Sequence, residues 1–201
     1  MEVDWTSILA LLDHPGTVPP EPWFATAVER VIVDEIVHTD YGQLDLIWVL
    51  PGGFDGDWRR FFAGQANGLV GAADPSGVYV NLARRSGGSA VRVVLHDGVP
   101  ELDPAWEDVV EVSSRVPAGA EARWSTWAGE HWGPLTGLGS GVHRLRVSAI
   151  GRDAGRDGES AESVVDRYVL EFWPEPALRP DAIVTVGSAD ARYWHGEWGG
   201  K

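Results

Sequence analysis

Residues 142–174 read V-H-R-L-R-V-S-A-I, then G-R-D-A-G-R-D-G-E-S-A-E-S-V-V, then D-R-Y-V-L-E-F-W-P. In the first segment Leu145, Val147 and Ala149 alternate with Arg144, Arg146 and Ser148, the period-2 pattern of a half-buried strand. Tyr168, Leu170 and Phe172 alternate with Arg167, Val169 and Glu171 in the same way. The polar, glycine-containing segment between them is too charged to bury. This predicts an antiparallel pair whose outward face carries Arg144, Arg146 and Glu171, placed for cross-strand charge pairing. Pro174 ends the second strand because it has no N–H to give to the ladder.

The same pattern extends through the chain. Val31 to Val37 and Gln43 to Leu50 are rich in branched residues and are joined by the hairpin-like link His38 to Gly42. Pro51-Gly52-Gly53 breaks the second, and a helical turn is expected around Trp58 to Phe62. Further strands are predicted at Gly68 to Ala72, Val78 to Leu82, Ala90 to His96, Val109 to Val116, Glu121 to Trp127 and Ala182 to Gly187. The links Asp74-Pro75-Ser76-Gly77, Arg84 to Gly88 and Pro117-Ala118-Gly119 carry turn chemistry. At the start, Asp4 caps an expected short helix, Trp5 to Leu12, followed by the extended connector Pro19 to Pro22. The fold class is mainly β: an antiparallel β-sandwich, with a partly open barrel as second choice, of about ten strands with a short N-terminal helix. It forms a single domain, residues 1–201, with 1–30 as a helical and extended segment and 188–201 as an aromatic tail.

Composition narrows the function. The 201 residues include 44% hydrophobic residues, enough for a core without metals or disulfides. There is no cysteine, which removes thiolate nucleophiles and thiolate metal sites. The first residues lack a positive n-region, and Ser7 to Leu12 is too short for a signal core or a membrane span, so the expectation is a soluble cytoplasmic protein. The net charge is −14, and residues 1–57 hold eleven acidic residues against the single basic Arg30. That field repels nucleic acid and anionic membranes and favours a basic partner protein. It also serves plain solubility. The basic residues are all arginine except Lys201, in keeping with a GC-rich genome.

No segment carries a catalytic motif. Gly137 to Gly141 offers G-x-G but precedes a strand rather than a helix, so it is a turn and not a dinucleotide fingerprint. Ser140 lies in G-S-G, not in a nucleophile elbow. The six histidines show no metal-ligand spacing, and no cofactor is expected. Asp55 and Asp57 flank Gly56 before Trp58; this D-x-D suits an exposed acidic turn, with a sugar or metal contact as the functional alternative. In Gly151 to Asp157 the unit G-R-D repeats, which suits local Arg–Asp pairing, with Arg152 and Asp153 as a partner contact in the functional reading. The eleven tryptophans are spread along the chain, most of them expected in or beside the core. The tail Tyr193-Trp194-His195-Gly196-Glu197-Trp198 either folds back on the sandwich or marks a binding surface.

The segments at 141–153, 166–174 and 191–195, with Gln65-x-Asn67-Gly68-Leu69 and Trp106 to Val110 in the middle of the chain, resemble a family of uncharacterised actinobacterial proteins with the order strand, G-R-D loop, Y-x-L-E-x-W-P strand and aromatic tail. More distantly, the architecture resembles bacterial inhibitors of the DNA-entry nuclease of competence systems. Those are acidic, largely β proteins with a G-x-Y-x-L hairpin, which Gly141 to Leu145 matches loosely, with His143 where an aromatic is expected. That resemblance implies a nuclease-binding inhibitor or immunity role and carries no functional residue across.

The leading expectation is therefore a non-enzymatic binding protein for a basic partner such as a nuclease or toxin. Its contact is placed at Asp34, Glu35, Asp40, Asp45, Asp55, Asp57 and Trp58, with Arg152, Asp153 and Trp194 as further contacts. A carbohydrate- or small-molecule-binding sandwich using Trp58, Trp127, Trp132 or the tail is the alternative. A small enzyme whose site assembles only in three dimensions is the third.

Overall fold

The computed structural model describes residues 29–159 and 163–200, so the helix expected at Trp5 to Leu12 lies outside the described residues. The described residues make eleven strands in two sheets. In order they are β1 (Glu29–Asp40), β2 (Gln43–Ile47), β3 (Val70–Gly71), β4 (Gly77–Asn81), β5 (Ser86–His96), β6 (Asp108–Val116), β7 (Arg123–Thr126), β8 (Trp132–Pro134), β9 (Gly141–Ile150), β10 (Arg167–Pro174) and β11 (Ala182–Val186). Three short helices are α1 (Trp58–Phe62), α2 (Arg152–Asp157) and α3 (Ala189–Trp198). One sheet runs β1-β5-β10-β9-β6-β11 and the other β3-β4-β2-β7-β8. Neither closes on itself, so the fold is a β-sandwich and not a barrel.

The pair expected from residues 142–174 forms as β9 and β10, antiparallel, with Tyr168 opposite Ala149, Leu170 opposite Val147 and Phe172 opposite Leu145. These six side chains point inward and are buried. They meet Val91 and Val93 of β5, Val110 and Val112 of β6, and Leu44, Leu46, Val78 and Val80 of the facing sheet in one apolar cluster. Burial of each large aliphatic or aromatic side chain contributes roughly 1.5–3 kcal/mol. One pairing departs from a purely antiparallel sandwich: β10 runs parallel to β5 on its other side, Leu170 beside Val93. Period-2 patterning sets which face a strand buries and says nothing of its neighbour's direction.

The outward face of β9 and β10 pairs its charges as expected but is not solvated. Arg144 and Arg146 are 3% and 5% exposed. Glu111 of β6 accepts from both, Arg144 Nε at 3.2 Å and Arg146 Nε at 3.0 Å. Glu171 lies 3.7 Å from Arg146 and 3.2 Å from His96 of β5. Two connections close over this ladder. Arg146 donates to the Pro100 carbonyl, and Arg144 to the Pro180 carbonyl at 2.9 Å. The charges are buried because every one is paired, which meets most of the cost of removing it from water.

Three further elements differ from expectation. The polar segment after Ile150, expected as a loop too charged to bury, begins with the helix α2, in which Arg152 is buried. The link between β1 and β2 is two residues, Tyr41-Gly42, and it carries the chain from one sheet to the other instead of closing a hairpin. The residues after Gly187 form a helix, α3, capped by the Ser188 side chain, which accepts from the Ala191 N–H at 3.0 Å.

α3 folds back on the sandwich. Ala191 enters the main core, Trp194 packs beside it, and Trp198 joins Phe54, Phe61, Phe62 and Tyr79 in a second aromatic cluster. The helix seats on the 65–69 segment: the Gly68 N–H donates to His195 Nδ1 at 3.0 Å, and a side chain at residue 68 would collide with the Trp194 carbonyl. Beside it the Asp181 carboxylate accepts from the Asn67 N–H and side-chain amide. No helix among the described residues is long and apolar enough to cross a membrane.

Candidate partner-binding face

β1 crosses to β2 at Tyr41 and Gly42, with φ of 58° and 66°. Gly42 is dictated by space as well as by its positive φ, since a Cβ there would meet the Leu82 carbonyl at 2.3 Å. The turn is fixed from below: the Gly42 N–H donates to Arg85, and the Leu82 N–H donates to the Gly42 carbonyl at 2.8 Å. Tyr41, which has a Cβ and no steric reason to adopt this conformation, is turned outward and stays 58% exposed.

A second tight turn faces it. After β7 the chain makes a 3₁₀ turn at Trp127–Gly129, in which Ala128 has φ 53°. Trp127 is 40% exposed, and its ring centroid lies 5.4 Å from that of Tyr41, the planes tilted by 49°. The third wall is the turn after β2, where Phe54, Asp55 and Gly56 come alongside. Together with Gln43 and Ala128 these residues line a cleft of about 600 Å³. A smaller cleft of about 410 Å³ adjoins it across the same two rings, lined by Asp40, Arg85, Ser86 and Glu159.

The carboxylates around the clefts have distinct roles. Asp45 of β2 is buried beneath Phe54: its Oδ1 accepts the Phe54 N–H at 3.0 Å and its Oδ2 the Gln43 amide at 2.6 Å. Burial pushes its carboxyl up to about 6, against the pull of these two hydrogen bonds and of the Arg60 charge. Asp55 is exposed and held below the ordinary aspartate range, first by the Asp57 N–H and then by Arg60, 3.2 Å away. Asp57 caps α1 through the Arg59 and Arg60 N–H groups. Asp40 accepts from the Ser86 hydroxyl at 2.6 Å.

The structure thus gathers Asp40, Asp45, Asp55 and Asp57 at one end of the sandwich, with Trp58 half-buried at the start of α1. Asp34 and Glu35 are exposed farther back along β1, where Asp34 pairs with Arg92 at 2.7 Å. Arg152, Asp153 and Trp194 are elsewhere, in the junction of α2 and α3. Arg152 is 1% exposed and bonds Asp190 and the Asn81 carbonyl. Asp153 caps α3 by accepting from the Ala189 and Asp190 N–H groups. The expected pairing inside this loop is present, with Arg156 3.5 Å from Asp153.

Of the described tryptophans, 48, 124 and 173 are buried, 58, 106, 194 and 198 are half-buried, and 127 and 132 are exposed. Tyr41 and Phe54 were not singled out from the sequence. The signal that could have found Tyr41 is its place before Gly42, in a link that only two residues span. Among the described residues no group of three or more His, Asp or Glu is placed to hold a metal ion.

No protein-family model matches the chain, and no curated protein matches it. Two solved structures are similar. One is ComJ, the inhibitor of the DNA-degrading activity of NucA from Bacillus subtilis, with a TM-score of 0.50, 13% identity, and coverage of 74% of this chain and 100% of that one. The other is the product of crocagin biosynthetic gene J, with a TM-score of 0.47, 16% identity, and coverage of 74% and 99%. The distant likeness to the competence nuclease-inhibitor family holds at the level of fold.

Proposed function

We propose that this chain is a non-enzymatic binding protein of the inhibitor or immunity type, whose acidic end covers a basic protein partner such as a nuclease or toxin. The observation that carries the reading is the convergence of Asp40 and Asp55 with the exposed rings of Tyr41 and Trp127 at one end of the sandwich. Carboxylates steer a basic partner to that end, and the rings supply the desolvated contact that holds it. The net charge of −14 extends the field beyond the patch. The fold shared with ComJ supports the reading, because that protein acts by inhibiting a nuclease.

The test is capture of partners by the immobilised chain at low ionic strength, with identification by mass spectrometry. Association kinetics are then measured from about 0.05 to about 0.5 M salt. The reading expects a basic protein whose on-rate falls steeply with salt and whose own activity is lost at equimolar inhibitor. Association that is unchanged across that range overturns it.

The same cleft also suits a second reading, a carbohydrate-binding sandwich, since the touching rings of Tyr41 and Trp127 present exposed aromatic surface along a space of about 600 Å³. A soluble disaccharide that shifts the Trp127 indole resonance favours it.

A further inference from the structure

We propose that the cleft between Tyr41, Trp127 and the Phe54–Gly56 turn is the seat of an arginine or lysine side chain projected by the basic partner. This deepens the binding-protein reading and rests on it.

The shape fits first. Tyr41 and Trp127 offer two exposed aromatic surfaces, with the Phe54 turn beside them, around a space of about 600 Å³, long enough for a four-carbon stem to lie on rings with its charged head at the rim. Charge fits next. The lining holds the Asp55 carboxylate and no arginine, lysine or histidine. Asp55 has a 63% exposed side chain, so it faces solvent despite its contact with Arg60. The field behind it is also acidic: residues 29–57 contain seven carboxylates against Arg30 alone.

The chain itself shows this mode of binding at the same ring. In the adjoining cleft the Arg85 guanidinium lies 5.2 Å from the centroid of Tyr41, a cation–π distance. The tyrosine that shapes the proposed seat is therefore already a platform for a guanidinium.

The construction of the cleft points the same way. Tyr41 and Ala128 are the non-glycine residues with positive φ among the described residues, and both line this cleft. Backbone held in a costly conformation at two facing turns, with the neighbouring rings left exposed, is the pattern of a surface built for a contact.

The test uses the full chain, labelled with nitrogen-15, and a capped tri-arginine peptide, with the matching tri-citrulline peptide as its uncharged counterpart. The proposal expects the Trp127 indole and the amides of Tyr41, Phe54, Asp55 and Gly56 to shift together with the arginine peptide and to stay in place with citrulline. Trp127→Ala and Asp55→Asn should each weaken binding about tenfold. Tyr193→Ala, which removes an exposed ring on α3, should leave it unchanged. Arginine-induced shifts that spread over Asp34 and Glu35 without the Trp127 indole overturn the proposal. So does equal binding of citrulline, or a disaccharide that shifts these resonances where arginine does not.

The two readings fail separately. A captured partner that binds Trp127→Ala as tightly as the wild type removes the seat and leaves the inhibitor reading. An arginine peptide that binds the cleft while no basic protein binds the chain does the reverse.

Discussion

The Arg152 guanidinium donates to Asp190 Oδ2 at 2.6 Å, with both side chains only 2% exposed. This contact ties the helical turn after β9 to the C-terminal helix. The same guanidinium donates to the Asn81 carbonyl and lies over the ring of Tyr168, so three segments distant in sequence meet at one cation. Asp190→Leu leaves a buried arginine without its carboxylate and is expected to cost about 3–5 kcal/mol. The double change Arg152→Met with Asp190→Leu removes both charges and should cost clearly less than the sum of the single changes. Chemical denaturation of the four proteins of the cycle measures this directly. Additive costs would show that the two residues do not act as a pair.

Gly68 sets how closely the C-terminal helix docks. A Cβ at residue 68 would lie 1.9 Å from the Trp194 carbonyl and 3.1 Å from the His195 nitrogen, both of them backbone atoms that cannot swing away. Gly68→Ala should therefore lift α3 from the 65–69 segment at a cost of about 1–3 kcal/mol. Hydrogen exchange should speed up in α3 while β9 and β10 keep their protection. Unchanged exchange in α3 would mean that the segment accommodates the methyl group without moving the helix.

These two contacts mark the boundary of what the sequence made legible. The sandwich was readable because Leu145, Val147 and Ala149, then Tyr168, Leu170 and Phe172, repeat with the period of a pleated strand, and burial enforces that period. The turn at Tyr41-Gly42 was legible as a link but not as a crossing between sheets, because period-2 patterning carries no partner information. The burial of Arg144, Arg146 and Arg152 was not legible. Arginine reads as surface by composition, and only the carbonyls of Pro100, Pro180 and Asn81, brought in from far along the chain, make the interior tolerable for it. That the aromatic tail is a helix, α3, was not legible, since its aromatic residues do not form a clean helical stripe. Its caps, Ser188 and Asp153, are its strongest signal, and one of them comes from another element. Of the candidate face, the acidic residues were evident from charge alone. The cleft they border depends on two left-handed turns, and no local pattern announces these.

His195 links the docking of α3 to pH. Its Nδ1 accepts the Gly68 N–H, which requires the neutral imidazole with its proton on Nε2. Burial, reinforced by the Arg152 charge, holds its pKa below the ordinary 6.5. A histidine depressed in the folded state adds stability that is fully present above its unfolded value and is lost as pH falls through the folded one. His195→Ala should thus cost about 1 kcal/mol near neutrality, the worth of one hydrogen bond to a part-buried N–H. Its deficit relative to the wild type should shrink as pH is lowered below about 6. Denaturation of both proteins across this range measures the difference, and a deficit independent of pH would remove His195 from the docking contact.

Asp45 behaves in the opposite sense and sits beneath the proposed binding cleft. Its carboxyl is pushed from 3.8 up to about 6 by burial, so the folded chain holds its proton where the unfolded chain has released it. The stability this provides is complete below about pH 4 and is lost as pH rises through about 6, because ionised Asp45 is then kept out of water. A shift of this size corresponds to about 3 kcal/mol over the whole window. Asp45→Asn cannot titrate. It should be less stable than the wild type at about pH 4, because its amide offers one acceptor where Gln43 and the Phe54 N–H need two. It should then gain on the wild type steadily up to about pH 7. The Gln43 and Phe54 partners line the cleft itself, so the same titration, followed by the amide resonance of Phe54, reads the floor of the binding site as Asp45 ionises. A stability difference between the two proteins that stays flat from pH 4 to 7 would show that burial leaves the Asp45 carboxyl titrating as it does in the unfolded chain, and that the base of the cleft is charged at neutral pH.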